Sequence, residues 1–442
     1  MQPSRYDDVG YGWPVLFAPV RARLNSVGPV GVGLVLLGIS AYAVLGLAGH
    51  ALKPRDYAAV ASLYLLIAIL GPGLFIAVEQ ETNRQVSSRL AAGIGTLPVA
   101  RSAAVLSAIL AAAVVAVVLV LSPVLLDRVF GGSWSLVIAT IVAVIGAAAV
   151  YLWRGMFAGQ RRYGWYAATL GAEGLGRLIP CLALGVLSLA SISGFGYAFA
   201  FGALLAAAMT LPGVRLGEPG PAAPLGRMAR GVGLIAGASG LLLLVANLAP
   251  VVLTSRLTED PETAASFVSL FVLARLPFFF LGSMHAFLLP ALTAAANRGD
   301  PARLRSHLRI ALGIVLALGL VAALGVALLG PWAARVFFDA PVDLSPLIAG
   351  LLGISTAALL VTQVLQSALL ALDAYRTATT AWVAGATAFL ALLFAPLDSL
   401  VAAVAAQLTA PLVVIAIMGL AVWRGIHRLR VSAQLAPQAG PR

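Results

Sequence analysis

The chain has 442 residues, of which 61% are apolar and 10% charged, and its net charge is +12. An ordinary globular chain is ~45–50% apolar and ~25% charged. So few charges cannot cover a water-facing surface. The composition therefore excludes a soluble enzyme, a coiled coil and a disordered chain, and leaves a polytopic membrane protein.

Residues 1–26 are polar and carry Arg21 and Arg23, and they read as a cytoplasmic tail. The first apolar run, 27–49, is too long for the core of a cleavable signal peptide, so it is expected to be a signal anchor. Further runs follow at 57–78, 99–121, 134–157, 166–187 and 195–212. Each is close to the ~20 residues a helix needs to cross the hydrocarbon core. The segment 213–231, rich in Gly, Pro and Ala, reads as a cytoplasmic linker. Runs at 232–254, 264–289, 308–329, 346–370, 378–394 and 400–422 come next, and 423–442 is a second cytoplasmic tail. The pairs 166–187 with 195–212 and 378–394 with 400–422 are spaced as tight hairpins. The expected fold is an all-α polytopic membrane protein of about twelve transmembrane helices. It divides into two six-helix halves, 27–212 and 232–422, with both termini cytoplasmic.

The basic residues support this layout. Of the 28, 21 fall in the tails and even-numbered connections, 5 in the odd-numbered ones, and Arg177 and Arg275 lie inside runs. Cytoplasmic connections collect Lys and Arg, so the asymmetry sets the orientation. The +12 is thus a topology signal, and no nucleic-acid partner is expected. The halves share short echoes: Gly31–Leu34 with Gly231–Leu234, and Ser62–Tyr64 with Ser269–Phe271. Such a parallel repeat occurs in alternating-access transporters.

No constellation for catalysis appears. There is no H-E-x-x-H and no G-x-S-x-G, the four His are scattered, and the single Cys181 excludes a multi-cysteine metal site. Neither an enzyme nor a cofactor is expected.

Charges inside a bilayer are costly and point to function. Arg275 lies near the middle of its run, with Pro277 two residues on. It reads as a cation lining a polar cavity, beside a bend. Glu173 and Arg177 are four residues apart and can pair on one helix face, either to stabilise the bundle or as a switchable pair whose acid accepts a proton. Asn247 reads as cavity lining or as an interhelical hydrogen-bonding group. Glu79 and Glu81 read as a solvated helix end, and Trp153 and Tyr163–Tyr166 as an interfacial aromatic belt. The G-x-x-x-G pairs at Gly155–Gly159 and Gly233–Gly237 predict close helix packing.

Three segments resemble a known family: WRGMFAGQRRYGWYAATLGAEGLGRL (153–178), NLAPVVLTSRLTEDPETAASFVSLFVLARLPFFFLGSMHAFLLPALTAAANRGD (247–300) and GPWAARVFFDAP (330–341). They are similar to the corresponding helices and loops of polysaccharide-type, Wzx-like flippases of the multidrug/oligosaccharidyl-lipid/polysaccharide (MOP) exporter superfamily. The resemblance implies a MATE/MOP-like bundle in the plasma membrane that flips a polyprenyl-diphosphate-linked glycan. A proton or sodium ion is a candidate for coupling. Arg275 would contact the diphosphate or acidic sugars, and Arg177, Glu173 and Asn247 would complete a substrate site. Many relatives carry an acid two residues after the Asn, where this chain has Ala249. A lipid II flippase and a cation-coupled multidrug exporter are the alternatives within the superfamily. A membrane glycosyltransferase would need longer acidic outer loops.

Overall fold

The computed structural model describes residues 20–280, 288 and 291–435. Among these residues the chain is all-α, with no strand. In chain order the helices are α1 (Val20–Ala51), α2 (Pro54–Leu70), α3 (Pro72–Ala91), α4 (Leu97–Val124), α5 (Trp134–Gly159), α6 (Tyr163–Val186) and α7 (Ile192–Thr210). Then come α8 (Leu225–Arg256), α9 (Pro261–Ala274), α10 (Pro301–Phe338), α11 (Pro346–Ala371), α12 (Tyr375–Leu393) and α13 (Ser399–Leu435).

Local chemistry sets many of the helix starts. Pro opens α2, α3, α9, α10 and α11, where its missing N–H would have no helical partner. Asp260, Asp300 and Ser345 precede three of these prolines. Each accepts a hydrogen bond from a first-turn N–H: Thr263 at 3.1 Å, Arg303 at 2.9 Å and Ile348 at 3.3 Å. The hairpin between α6 and α7 turns through Ser188, at φ 56°, and Ser191 caps α7.

Ten helical segments among the described residues are long and apolar enough to cross a membrane, α2 and α3 together forming one of them. Two expected spans are not among the ten. The run 264–289 is interrupted after Ala274, and part of it lies outside the described residues. The run 378–394 falls in α12, whose 19 residues include Arg376 and four threonines. The large apolar side chains of α4 and α10 are mostly turned outward, Val120 and Leu328 each at 78% exposure, as a lipid-facing helix requires.

Helices α1, α5, α6 and α7 pack together, with α3 and α4 against α5. Helices α10 and α11 pack together, as do α12 and α13, and α11 rests on α13. Helix α8 lies across α2, α3, α12 and α13, and α9 sits between α2 and α10. Small residues set the closest approaches. Gly155 and Gly159 bring α5 onto α3, against Glu79, Thr82 and Val86. Gly233 and Gly237 have no neighbour where a side chain would begin, so that pair does not mediate packing. At the far end of α1, Gly46 and Gly49 meet the backbone carbonyls of Phe337 and Phe338 on α10.

The segment between α7 and α8 is stitched down. Arg89 of α3 donates to the carbonyls of Pro221 at 2.8 Å and Ala222 at 3.1 Å. Thr96 donates to Leu216 O at 3.2 Å, and Ser102 to Ala223 O at 2.8 Å. Arg162 adds a bond to the Gly213 carbonyl.

Candidate functional site

Residues of helices α1, α2, α5, α6, α7, α8 and α9 line a cavity of about 250 Å³. Arg275, Arg177, Glu173 and Asn247 all line it, together with Tyr42, Tyr64 and Tyr151. Four residues from three helices, far apart in sequence, thus face one space.

Arg275 follows the last residue of α9, where the helix gives way to a 3₁₀ turn over Leu276–Phe280 that contains Pro277. A cation at a helix C-terminus is favoured by the exposed carbonyls there. Its Nη1 donates to Thr356 Oγ1 on α11 at 2.9 Å, and its Nη2 to Gln407 Oε1 on α13 at 2.6 Å. Gln407 Nε2 in turn donates to Val245 O on α8 at 2.9 Å. The guanidinium carbon lies 4.6 Å from the Phe271 ring centroid. The side chain is 8% exposed, and its Nε has no partner among the described residues. None of the ion pairs among those residues includes Arg275. It is a buried cation held by neutral groups.

Arg177 is arranged differently. Glu173 sits between two guanidinium groups, with Oε1 on Arg177 and Oε2 on Arg154 Nη2, the latter at 2.6 Å. The i,i+4 pair expected from the sequence forms, but it is one side of a triad. Arg154 is 2% exposed and also donates to Thr169 Oγ1 at 2.9 Å. The sequence pattern assigns Arg154 to a cytoplasmic connection, so one basic residue moves from the topology tally to the interior. The stem of Arg177 crosses α7 at Gly202, where a Cβ would collide with it, and its guanidinium carbon lies 4.2 Å from the Phe199 ring centroid.

Asn247 donates to Leu243 O, one turn back on α8, at 2.9 Å. That bond is intrahelical, so among the described residues Asn247 lines the cavity and does not link helices. Ala249 beside it is fully buried.

Two further expectations need correction. Glu79 is half-buried and accepts a 2.7 Å hydrogen bond from Tyr166 Oη on α6, so it is not a free solvated helix end. Glu81 is 2% exposed and engaged by Arg84 at 2.6 Å and Gln85 at 2.7 Å. Two of the aromatic residues at the start of α6 face protein: Tyr166 through Glu79, and Trp165 stacked at 6.1 Å on Phe157. Thr356 and Gln407, which hold Arg275, are candidate site residues that sequence reasoning misses. Their one available signal is a polar side chain inside an apolar run. Among the described residues no group of three or more His, Cys, Asp or Glu is placed to hold a metal ion.

No protein-family model matches the chain, and no curated protein does. Solved structures do. An inward-facing multidrug resistance MATE family transporter of the MOP superfamily superposes with a TM-score of 0.65 at 15% identity, covering 90% of this chain and 96% of that one. The fold is that of the MATE transporters. An outward-facing structure from the same family gives a TM-score of 0.57 at 15% identity, over 92% of this chain and 96% of that one. A Vibrio cholerae MATE transporter gives 0.62 at 17% identity, over 92% and 96%. This is a likeness of fold, and it makes the chain a multi-pass membrane protein of MATE architecture.

Proposed function

We propose that the protein is a flippase. It carries a lipid-diphosphate-linked oligosaccharide across the plasma membrane by alternating access of two six-helix halves, 27–212 and 232–422, with both termini cytoplasmic. The observation that carries this reading is Arg275, a buried cation on the cavity whose hydrogen-bond partners among the described residues are all neutral. Burying an uncompensated charge is unfavourable unless a counter-charge arrives. A diphosphate supplies one. Arg177 differs in having a carboxylate partner, Glu173, which it shares with Arg154.

Ligand pockets commonly hold ~300–1,000 Å³. At about 250 Å³ the cavity is too small for an oligosaccharide, so the reading requires the helices to part while the prenyl chain stays in lipid. A lipid II flippase would use the same charge logic. The multidrug reading draws on the fold neighbours, but a cationic drug would meet the unanswered charge of Arg275. Coupling to a proton or sodium gradient fits the same scheme. The test is flipping of a lipid-diphosphate-linked sugar in proteoliposomes. Wild-type protein is expected to expose the sugar to the opposite face and Arg275→Ala to abolish this at equal incorporation. Flipping by the variant at the wild-type rate refutes the role of Arg275.

A further inference from the structure

The geometry points to Glu79 as a proton-binding site, outside the cavity, that sets the cavity's affinity for a diphosphate anion. This rests on the flippase reading and adds a second ligand to it.

The interior holds two carboxylates within one network, and they differ in what holds them. Glu173 has a guanidinium on each oxygen. Adding a proton there would break two charged contacts. Glu79 receives its hydrogen bond at Oε1 from Tyr166, a neutral phenol, at 2.7 Å. That bond survives protonation of the other oxygen. Glu79 is also half-buried, whereas Glu173 is 5% exposed, so water reaches Glu79 more readily.

The groups facing Glu79 come from each helix packed on α3. From α5 they are Arg154 and Tyr151, and from α6 they are Tyr166 and Glu173. Helix α8 meets α3 through Gly231 against Glu81, and through Ser239 and Gly240 at Gly73. Helix α4 meets it through Val99 and Ala100 at Val86. On α3 itself, Glu81 is taken by Arg84.

The link to the cavity runs through the charge of Arg154, which faces Glu79 and also holds Glu173, a cavity-lining residue beside Arg177. The Tyr166 hydroxyl bonds Glu79, while its backbone carbonyl separately accepts from Thr169 Oγ1 at 2.7 Å, and Thr169 accepts from Arg154. The charges give the sign. With Glu79 ionised, the positive groups Arg154, Arg177 and Arg275 face two negative ones, Glu79 and Glu173, leaving a net +1. A proton on Glu79 raises this to +2, which matches the two charges of a diphosphate diester. Proton and anion therefore bind together, each favouring the other, as reciprocal linkage requires.

The experiment measures binding of a farnesyl-diphosphate-linked N-acetylglucosamine, whose phosphates do not titrate near neutrality, to the purified full-length protein between pH 6 and 8. Calorimetry in buffers of different ionisation enthalpy counts the protons taken up. Wild-type affinity is expected to rise as pH falls, by up to ~10-fold per unit for one linked proton, with close to one proton absorbed. Glu79→Gln keeps an acceptor for Tyr166 and is expected to bind tightly at every pH without taking up a proton. If Glu79→Gln folds poorly, Tyr166→Phe, which removes the phenol, is expected to shift the midpoint of the wild-type profile. A wild-type pH slope and proton count retained in Glu79→Gln, or an unshifted midpoint in Tyr166→Phe, overturns the assignment while leaving the flippase reading intact. No binding by the wild-type protein at any pH overturns the flippase reading and this inference with it.

Discussion

Gln407→Glu isolates the charge of Arg275 from its shape. The substitution exchanges one side-chain nitrogen for oxygen and places a carboxylate where an amide oxygen now lies 2.6 Å from Arg275 Nη2. Two unit charges ~4 Å apart at an effective dielectric constant near 20 attract by about 4 kcal/mol. The hydrogen bond that the Gln407 amide donates to Val245 O is lost, and leaving a buried polar group unsatisfied costs about 1–3 kcal/mol. Desolvating the buried carboxylate costs several kcal/mol more, so the ion pair's attraction is largely offset and the variant is expected to stay close to wild type in stability. For substrate the sign reverses. The same carboxylate acting on one phosphate charge ~8 Å away repels it by about 2 kcal/mol under the same dielectric. At 1.4 kcal/mol per decade, that is roughly a 30-fold loss of affinity. The assay pairs thermal unfolding of the purified protein with flipping of a lipid-diphosphate-linked sugar in proteoliposomes. A stable Gln407→Glu protein that flips at the wild-type rate would refute the idea that the free charge of Arg275 drives binding.

Other outcomes follow from the same contacts. Glu173→Gln leaves Arg154 and Arg177 buried without a counter-charge. It is expected to destabilise the fold by about 3–5 kcal/mol, visible as a lower Tm, which separates it from Arg275→Ala, where the cavity is damaged and not the bundle. Gly202→Leu would push into the Arg177 stem, and it should impair flipping and lower the yield of folded protein together. Arg89→Ala releases the carbonyls of Gly95, Pro221 and Ala222, and limited proteolysis should then cut the 214–224 segment faster than in wild type.

Helical segments are legible in the sequence because their signal is cumulative: some twenty apolar residues in a row outweigh any local exception. Arg275, Arg177 and Glu173 are legible as charges where lipid tolerates none. Arg154 is not, because it lies at the end of an apolar run, where a snorkelling, topology-setting residue looks the same as a buried one. Glu79 misleads for the same reason. Its partner Tyr166 begins a different helix, and no local pattern joins α3 to α6. Thr356 and Gln407 carry no charge and stand 81 and 132 residues from Arg275 along the chain, so spacing could not connect them. What the sequence conceals is which polar groups meet, and that is decided by packing.

The stitched segment between α7 and α8 has a mechanical consequence. Its carbonyls at Leu216, Pro221, Ala222 and Ala223 are tied to Thr96, to α3 and to α4, while α8 begins at Leu225. The tether therefore has no slack to absorb rotation along its length. Any swing of α8 must be borne at Pro224, whose φ of −61° is fixed by its ring and whose ψ is the first torsion left to turn. A connection that looks in sequence like a loose rope between two bundles is in space a bracket with a single pin.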